Sequence, residues 1–192
     1  MPLAKKKNKK YTLRDYLKWP DDERWEIING EAYDMSPSPI RRHQELSLNL
    51  AFELKRDLDT RRYPDCRVYE APMDVIFDEY NVVQPDIFMV CDKDRDTDYI
   101  FEVPKLTMEI ISKSTAYKDT KIKKDLYERF KVEEYIIVFP ELEIVERYLL
   151  EDNKYLTPER FNWDEVLKLR TFDIELNLWE IFEKELPEEE EN

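Results

Sequence analysis

The sequence predicts an α/β chain of the α+β kind, a mixed β-sheet flanked by helices. Three observations lead there: strand-like runs alternate with helical stretches, several of those runs are apolar enough for a sheet interior, and two longer segments carry apolar residues at helical spacing. With 192 residues, 42% of them hydrophobic, the chain can bury a sizeable core. No internal repeat divides it, so the reading is one domain over 11–182, between a basic arm at 1–10 and an acidic tail at 183–192.

Residues 5–10 form a Lys-rich arm read as solvated. Thr12 can cap a short helix that Pro20 ends. Residues 25–28 and 31–35 read as strands around Asn29-Gly30, the strongest hairpin signal in the chain and the place of its one glycine. Ser36-Pro-Ser-Pro39 is a rigid loop leading into a long helix over 40–60, whose Leu46, Leu50, Leu54 and Leu58 make an apolar stripe. Short strands follow at 66–69 and 74–77, then the turn-like Asp78-Glu-Tyr-Asn81. Gln84-Pro-Asp-Ile-Phe-Met-Val90 and Leu106-Thr-Met-Glu-Ile-Ile-Ser112 are further strands, joined through a charged connection at 92–98. Residues 118–130 read as an amphipathic helix, 134–139 as a central strand and 143–150 as its neighbour. Phe172, Ile174, Leu176 and Leu178 alternate before a short helix over 179–186, and Glu188 to Glu191 close the acidic tail.

Composition narrows the function classes. Cys66 and Cys91 stand singly in strand-like segments and read as two reduced, buried thiols; with one His in the chain they are too few for a tetrahedral zinc site. The basic start is followed by no apolar run, and no stretch approaches the ~20 apolar residues of a membrane span, so the expected setting is cytoplasmic, with no membrane partner. A net charge of -14 argues against a protein that coats nucleic acid through a broad basic face. An acidic cleft can still act on phosphates once a cation inverts its charge.

The chemistry centres on Asp86 and Glu109, single acids in otherwise strand-forming runs. A carboxylate in a half-buried strand must be paired, hydrogen-bonded, protonated or bound to a cation, and a pair of such oxygens suits a hard ion such as Mg2+. In the helix over 118–130, Ile122, Leu126 and Phe130 recur every four residues. At roughly 100° per residue their arc includes Asp119 and has Lys123 and Tyr127 at its edge, whereas Lys121 and Lys124 point away. Lys123 is therefore the lysine placed to face the protein. Glu26, between Trp25 and Ile27, can reach a cleft or face water. His43, in the first turn of the long helix, has the ordinary reading of a structural or solvent-facing side chain.

Pro85-Asp86, Glu109-Ile-Ile-Ser112 with Ser114-Thr115, Asp119, Lys123 and Tyr127 at four-residue steps, and Glu134-Tyr-Ile-Ile-Val-Phe-Pro140 together resemble the Uma-two family of restriction-endonuclease-like proteins, in the PD-(D/E)xK nuclease superfamily. Arg24-Trp-Glu-Ile-Ile-Asn-Gly-Glu31, Met35-Ser-Pro-Ser-Pro39 and His43 fit the same pattern, so the likeness runs from about Tyr11 to Leu150. It implies a restriction-endonuclease-like fold and a metal-dependent endonuclease of DNA, in which Asp86, Glu109 and the Ile110 carbonyl hold Mg2+ or Mn2+. Lys123 would stabilise the transition state, and Glu26, Glu31, His43, Ser112, Asp119 and Tyr127 would be accessory. Two cuts on opposite strands would suggest a homodimer. The superfamily's lysine usually lies two residues after the acid; here Ile111 stands there, and the resemblance moves that role to Lys123. The alternative is a catalytically weak nuclease-fold module that binds nucleic acid or a protein.

Overall fold

In the computed structural model the described residues are 9–20, 22–35, 40–92, 97–112 and 115–186. Most of the basic arm, the Ser36-Pro-Ser-Pro39 loop, Ser114, the middle of the 92–98 connection and the end of the acidic tail lie outside them.

The chain begins with a one-turn helix, α1 (Leu13–Tyr16), at whose start the Thr12 N–H donates to Asp15 Oδ2 over 3.0 Å. Strands β1 (Trp25–Ile28) and β2 (Glu31–Asp34) form the expected hairpin. Its two turn residues have positive φ, 55° at Asn29 and 80° at Gly30, which is why an Asn-Gly pair fits. A Cβ on Gly30 would also meet the Lys10 side chain at 3.2 Å. Helix α2 (Arg41–Asp57) follows, buried along Leu46, Leu50 and Leu54. It is shorter than the expected 40–60, because the chain turns extended at Leu58. Strands β3 (Cys66–Glu70), β4 (Val75–Asp78) and β5 (Asn81–Val83) come next, and β5 occupies a place read as the end of a turn.

Strand β6 (Ile87–Cys91) pairs antiparallel with β7 (Leu106–Ile110). The chain then crosses through a π-helical turn (Lys118–Lys123) and α3 (Lys124–Phe130) to β8 (Glu134–Phe139), which runs parallel to β7. A parallel pair requires such a crossover. The rest comprises β9 (Ile144–Glu151), β10 (Lys154–Tyr155), β11 (Glu159–Asn162), β12 (Val166–Lys168), β13 (Glu175–Asn177) and the short α4 (Leu178–Ile181), which ends well before the expected 186.

Two main sheets result: β2-β1-β5-β4, antiparallel throughout, and a mixed seven-stranded sheet β10-β9-β8-β7-β6-β3 with β11 also on β9. One face of the larger sheet presents Ile87, Met89, Leu106, Met108, Ile110, Ile136 and Val138 to the leucines of α2 and to the C-terminal segment, including Phe172, Ile174, Leu176 and Leu178. The opposite face presents Phe88, Val90, Tyr135 and Ile137 to Leu126 and Tyr127 of α3 and to Ile28, Val75 and Val83 of the smaller sheet. Side chains alternate along β7, so Thr107 and Glu109 belong to this second, helix-covered face.

The reading of two separate thiols is overturned. Register sets Cys66 of β3 directly opposite Cys91 of β6, and their sulfurs are bonded. Their pairing depends on strand order, which local sequence does not display. Among the described residues no helix is long and apolar enough to cross a membrane.

Candidate active site

The β6–β7 ladder stops at Ile87 opposite Met108, and the next amide of β7 finds a side chain instead: Ile110 N–H donates to Asp86 Oδ2 over 2.8 Å. Asp86 thus stands immediately before β6, one position outside the strand expected to contain it, and caps the end of the ladder. His43 Nε2 lies 3.1 Å from the same oxygen, so α2 reaches the site from one side of the sheet. Burial works against a charge on His43, but the Asp86 carboxylate outweighs it and raises the imidazole pKa.

Glu109 occupies the buried face of β7, and its Oε1 accepts from Lys123 Nζ over 2.8 Å and from Tyr127 OH over 2.7 Å. Lys123 Nζ also lies 2.8 Å from Glu26 Oε1. Glu26 in turn accepts the Gln84 N–H on Oε1, 3.0 Å, and Lys118 Nζ on Oε2, 2.6 Å. The side chains of Glu26, Glu109, Lys118 and Lys123 are all at most 4% exposed. Asp119 is buried beside them.

The electrostatics follow from that crowding. Burial pushes the Glu109 carboxyl well above the ordinary range; Lys123 opposes the shift, and Asp119, Asp86 and Glu26 add to it. Burial likewise raises Asp119, to about 6, against the pull of Lys123 and Lys118. Glu26 goes the other way: burial would raise it, but two ammonium groups hold it at about 2. Burial disfavours the charge of Lys123, and the surrounding carboxylates outweigh that cost and keep the ammonium protonated. Four carboxylates, Glu26, Asp86, Glu109 and Asp119, thus face two ammonium groups. That excess of acid adds to the upward shifts of Glu109 and His43, and a divalent ion would offset it.

The donor set fits such an ion. The described hydrogen bonds of Asp86 fall on Oδ2 and those of Glu109 on Oε1, so Oδ1 and Oε2 keep no protein donor among the described residues. No group of three or more His, Cys, Asp and Glu side chains is set to hold a metal among those residues. An ion here would rest on two carboxylates, with main-chain and water oxygens completing its shell, a pattern that suits Mg2+ and not zinc.

The structure therefore gathers Asp86, Glu109, Ile110, Lys123, Glu26, His43, Asp119 and Tyr127 into one region. Ser112 stands just before the crossover helix, where its hydroxyl lies 3.0 Å from Thr115 Oγ1. Glu31 is not brought in; it is exposed on β2 and accepts the Tyr33 hydroxyl over 2.9 Å. Lys118 was missed. It lies four residues before Ile122, in line with the apolar row that marked the helix's inner face, and that spacing was its signal.

A mixed sheet whose parallel β7–β8 pair is joined by a helix, with an acidic pair at the β6–β7 junction, is the restriction-endonuclease-like α+β fold. The chain belongs to the Uma2 family, described as "Putative restriction endonuclease", whose model matches residues 13–179. A crystal structure described as a putative nuclease belonging to DUF820, from Anabaena variabilis ATCC 29413, is similar with a TM-score of 0.75 and 17% identity over 90% of this chain and 97% of that one. At that identity the likeness shows the fold. No curated protein sequence matches.

Proposed function

We propose that the chain is a metal-dependent endonuclease that hydrolyses phosphodiester bonds of DNA. The observation that carries the reading is that half-buried Asp86 and buried Glu109 and Lys123 come together in a cluster where four carboxylates face two ammonium groups. Asp86 and Glu109, with the Ile110 carbonyl, would hold Mg2+ or Mn2+. When bound, a divalent ion at such a pair neutralises phosphate charge and lowers the pKa of a bound water. Lys123 supplies a fixed ammonium in a water-poor setting, where a charge acts far more strongly on a developing phosphoryl charge than it would in bulk solvent. Tyr127 donates to Glu109 and fixes the direction of its carboxylate. His43 does the same for Asp86. Cutting both strands of a duplex would take two copies of the chain.

The three lysines of the crossover provide the test. Lys121 pairs with Asp125 at the surface, and Lys124 lies over the Tyr148 ring at 5.1 Å. Cleavage is assayed on single- and double-stranded DNA with Mg2+ and with Mn2+. Lys123→Met is expected to lose about 100-fold or more in rate while keeping the fold. Lys121→Met and Lys124→Met, each worth well under about 1 kcal/mol, leave it nearly unchanged. Equal rates in all three variants overturn the role of Lys123. Wild-type protein that binds DNA without cutting it favours the noncatalytic binding module.

A further inference from the structure

We infer that Lys118 is a positioning residue of the proposed metal site, which acts through Glu26 to set the place of Lys123 and the net charge that an incoming divalent ion meets. The inference rests on the metal reading above for the identity of the ligands. Its structural basis is separate.

Lys118 is 4% exposed in its side chain, and its ammonium meets Glu26 Oε2 at 2.6 Å and the Met35 sulfur at 3.4 Å. A buried ammonium is costly unless paired, and the carboxylate given to it here is one already used by Lys123. Glu26 therefore carries two lysines, while Lys123 serves two carboxylates, Glu26 and Glu109. With Lys118 in place, Glu26 is neutralised from its far oxygen, and Lys123 stays shared with Glu109. Without it, Glu26 has Lys123 alone as a counter-ion and draws that ammonium from Glu109.

Glu26 also holds the other half of the site. Its Oε1 accepts the Gln84 N–H, two residues before Asp86, and Arg24 grips the Gln84 side chain through Nε and Nη2 at 3.2 and 2.8 Å. The Lys118–Glu26 pair thus fixes the approach to Asp86 and the resting point of Lys123 together. It also sets the charge. Removal of Lys118 takes one positive charge from the cluster, and removal of the Glu26 charge as well restores the original balance.

The charge rule separates this role from a merely structural one, because it predicts that metal binding improves when the residue is lost. Mn2+ is titrated calorimetrically into the full chain without DNA, with circular dichroism to confirm the fold. Lys118→Met is expected to bind Mn2+ on the order of tenfold more tightly, yet to cleave DNA about tenfold more slowly at an unchanged KM. Lys118→Gln keeps a donor to Glu26 without the charge and carries the same metal test should the methionine variant fail to fold. The double variant Glu26→Gln/Lys118→Met returns to within about threefold of wild-type affinity. Weaker or unchanged Mn2+ binding in the folded Lys118 variants overturns this inference alone. Wild-type protein that takes up no Mn2+ overturns the metal reading and the inference with it.

Discussion

Two buried glutamates show how differently the chain treats the same side chain. Glu134, at the start of β8, accepts from the Arg170 and Thr171 amides and the Thr171 hydroxyl, with Arg147 at 3.7 Å. Glu109 has two donors on one oxygen and acids around it. Glu134→Ala should therefore cost about 3 kcal/mol, since it strands buried donors, and lower the Tm by about 10 °C. Glu109→Gln, which keeps an acceptor for Tyr127 and removes like-charge repulsion, should leave the Tm in EDTA unchanged or higher. Thermal melts of both variants in EDTA check the contrast; a Glu109→Gln loss as large as that of Glu134→Ala would show Glu109 to be a structural acid. The sequence made Asp86 and Glu109 legible because an acid in an apolar strand is costly without a partner. Glu26 stayed open because both of its strand neighbours are apolar and all four residues of β1 are buried, so alternation named no inner face. Glu31, legible as an acid in the same hairpin, simply faces water.

At the scale of elements, the π-helical turn explains why Lys118 and Lys123 can share Glu26. They are five residues apart, a separation that places side chains about 140° around an α-helix but nearly above one another where the hydrogen bonds close five residues on. The place of Lys118 four residues before Ile122 was legible at α-helical spacing, but its sharing of Glu26 with Lys123 was not, for that reason. Strands β10, β11 and β12 escaped for another: they are short and largely exposed, with little apolar alternation to display. Glu26 joins β1 of the smaller sheet to this turn, so its ionisation couples the two elements. Its carboxyl titrates at about 2 in the folded chain against 4.5 ordinarily. The stability it contributes is thus fully present above pH 4.5 and lost as pH falls through 2, a span worth on the order of 3 kcal/mol. Asp119, raised to about 6 from 3.8, has the opposite sign, and its contribution is lost as pH rises through 6. Urea unfolding followed between pH 5 and 2 should show a shallower loss of stability in Glu26→Gln than in wild type. Parallel curves would mean that the buried pair adds no net ionic stability.

For the molecule as a whole the governing quantity is a net charge of -14, set against a proposed substrate that is itself a polyanion. A protein that held DNA through a broad basic face would make many phosphate contacts, each steepening the fall of affinity with salt by about 0.9 in the log–log slope. Among the described residues the two ammonium groups of the cluster are already paired with Glu26 and Glu109, so before an ion is bound the cluster offers phosphate no unpaired ammonium. Association should then depend on a divalent ion that reverses the sign of the local field. The expected result, read by fluorescence anisotropy of a labelled duplex, is weak binding in EDTA and clear binding with Ca2+, chosen as an ion that supports binding with little turnover. The salt slope should be shallow, below about 4 in magnitude. Asp86→Ala, which removes one of the proposed oxygen ligands without touching a basic residue, should return the Ca2+ isotherm to that in EDTA. Tight, steeply salt-dependent binding in EDTA, unaltered by Asp86→Ala, would place the DNA contact on a basic surface elsewhere in the chain and remove the acidic cluster from recognition.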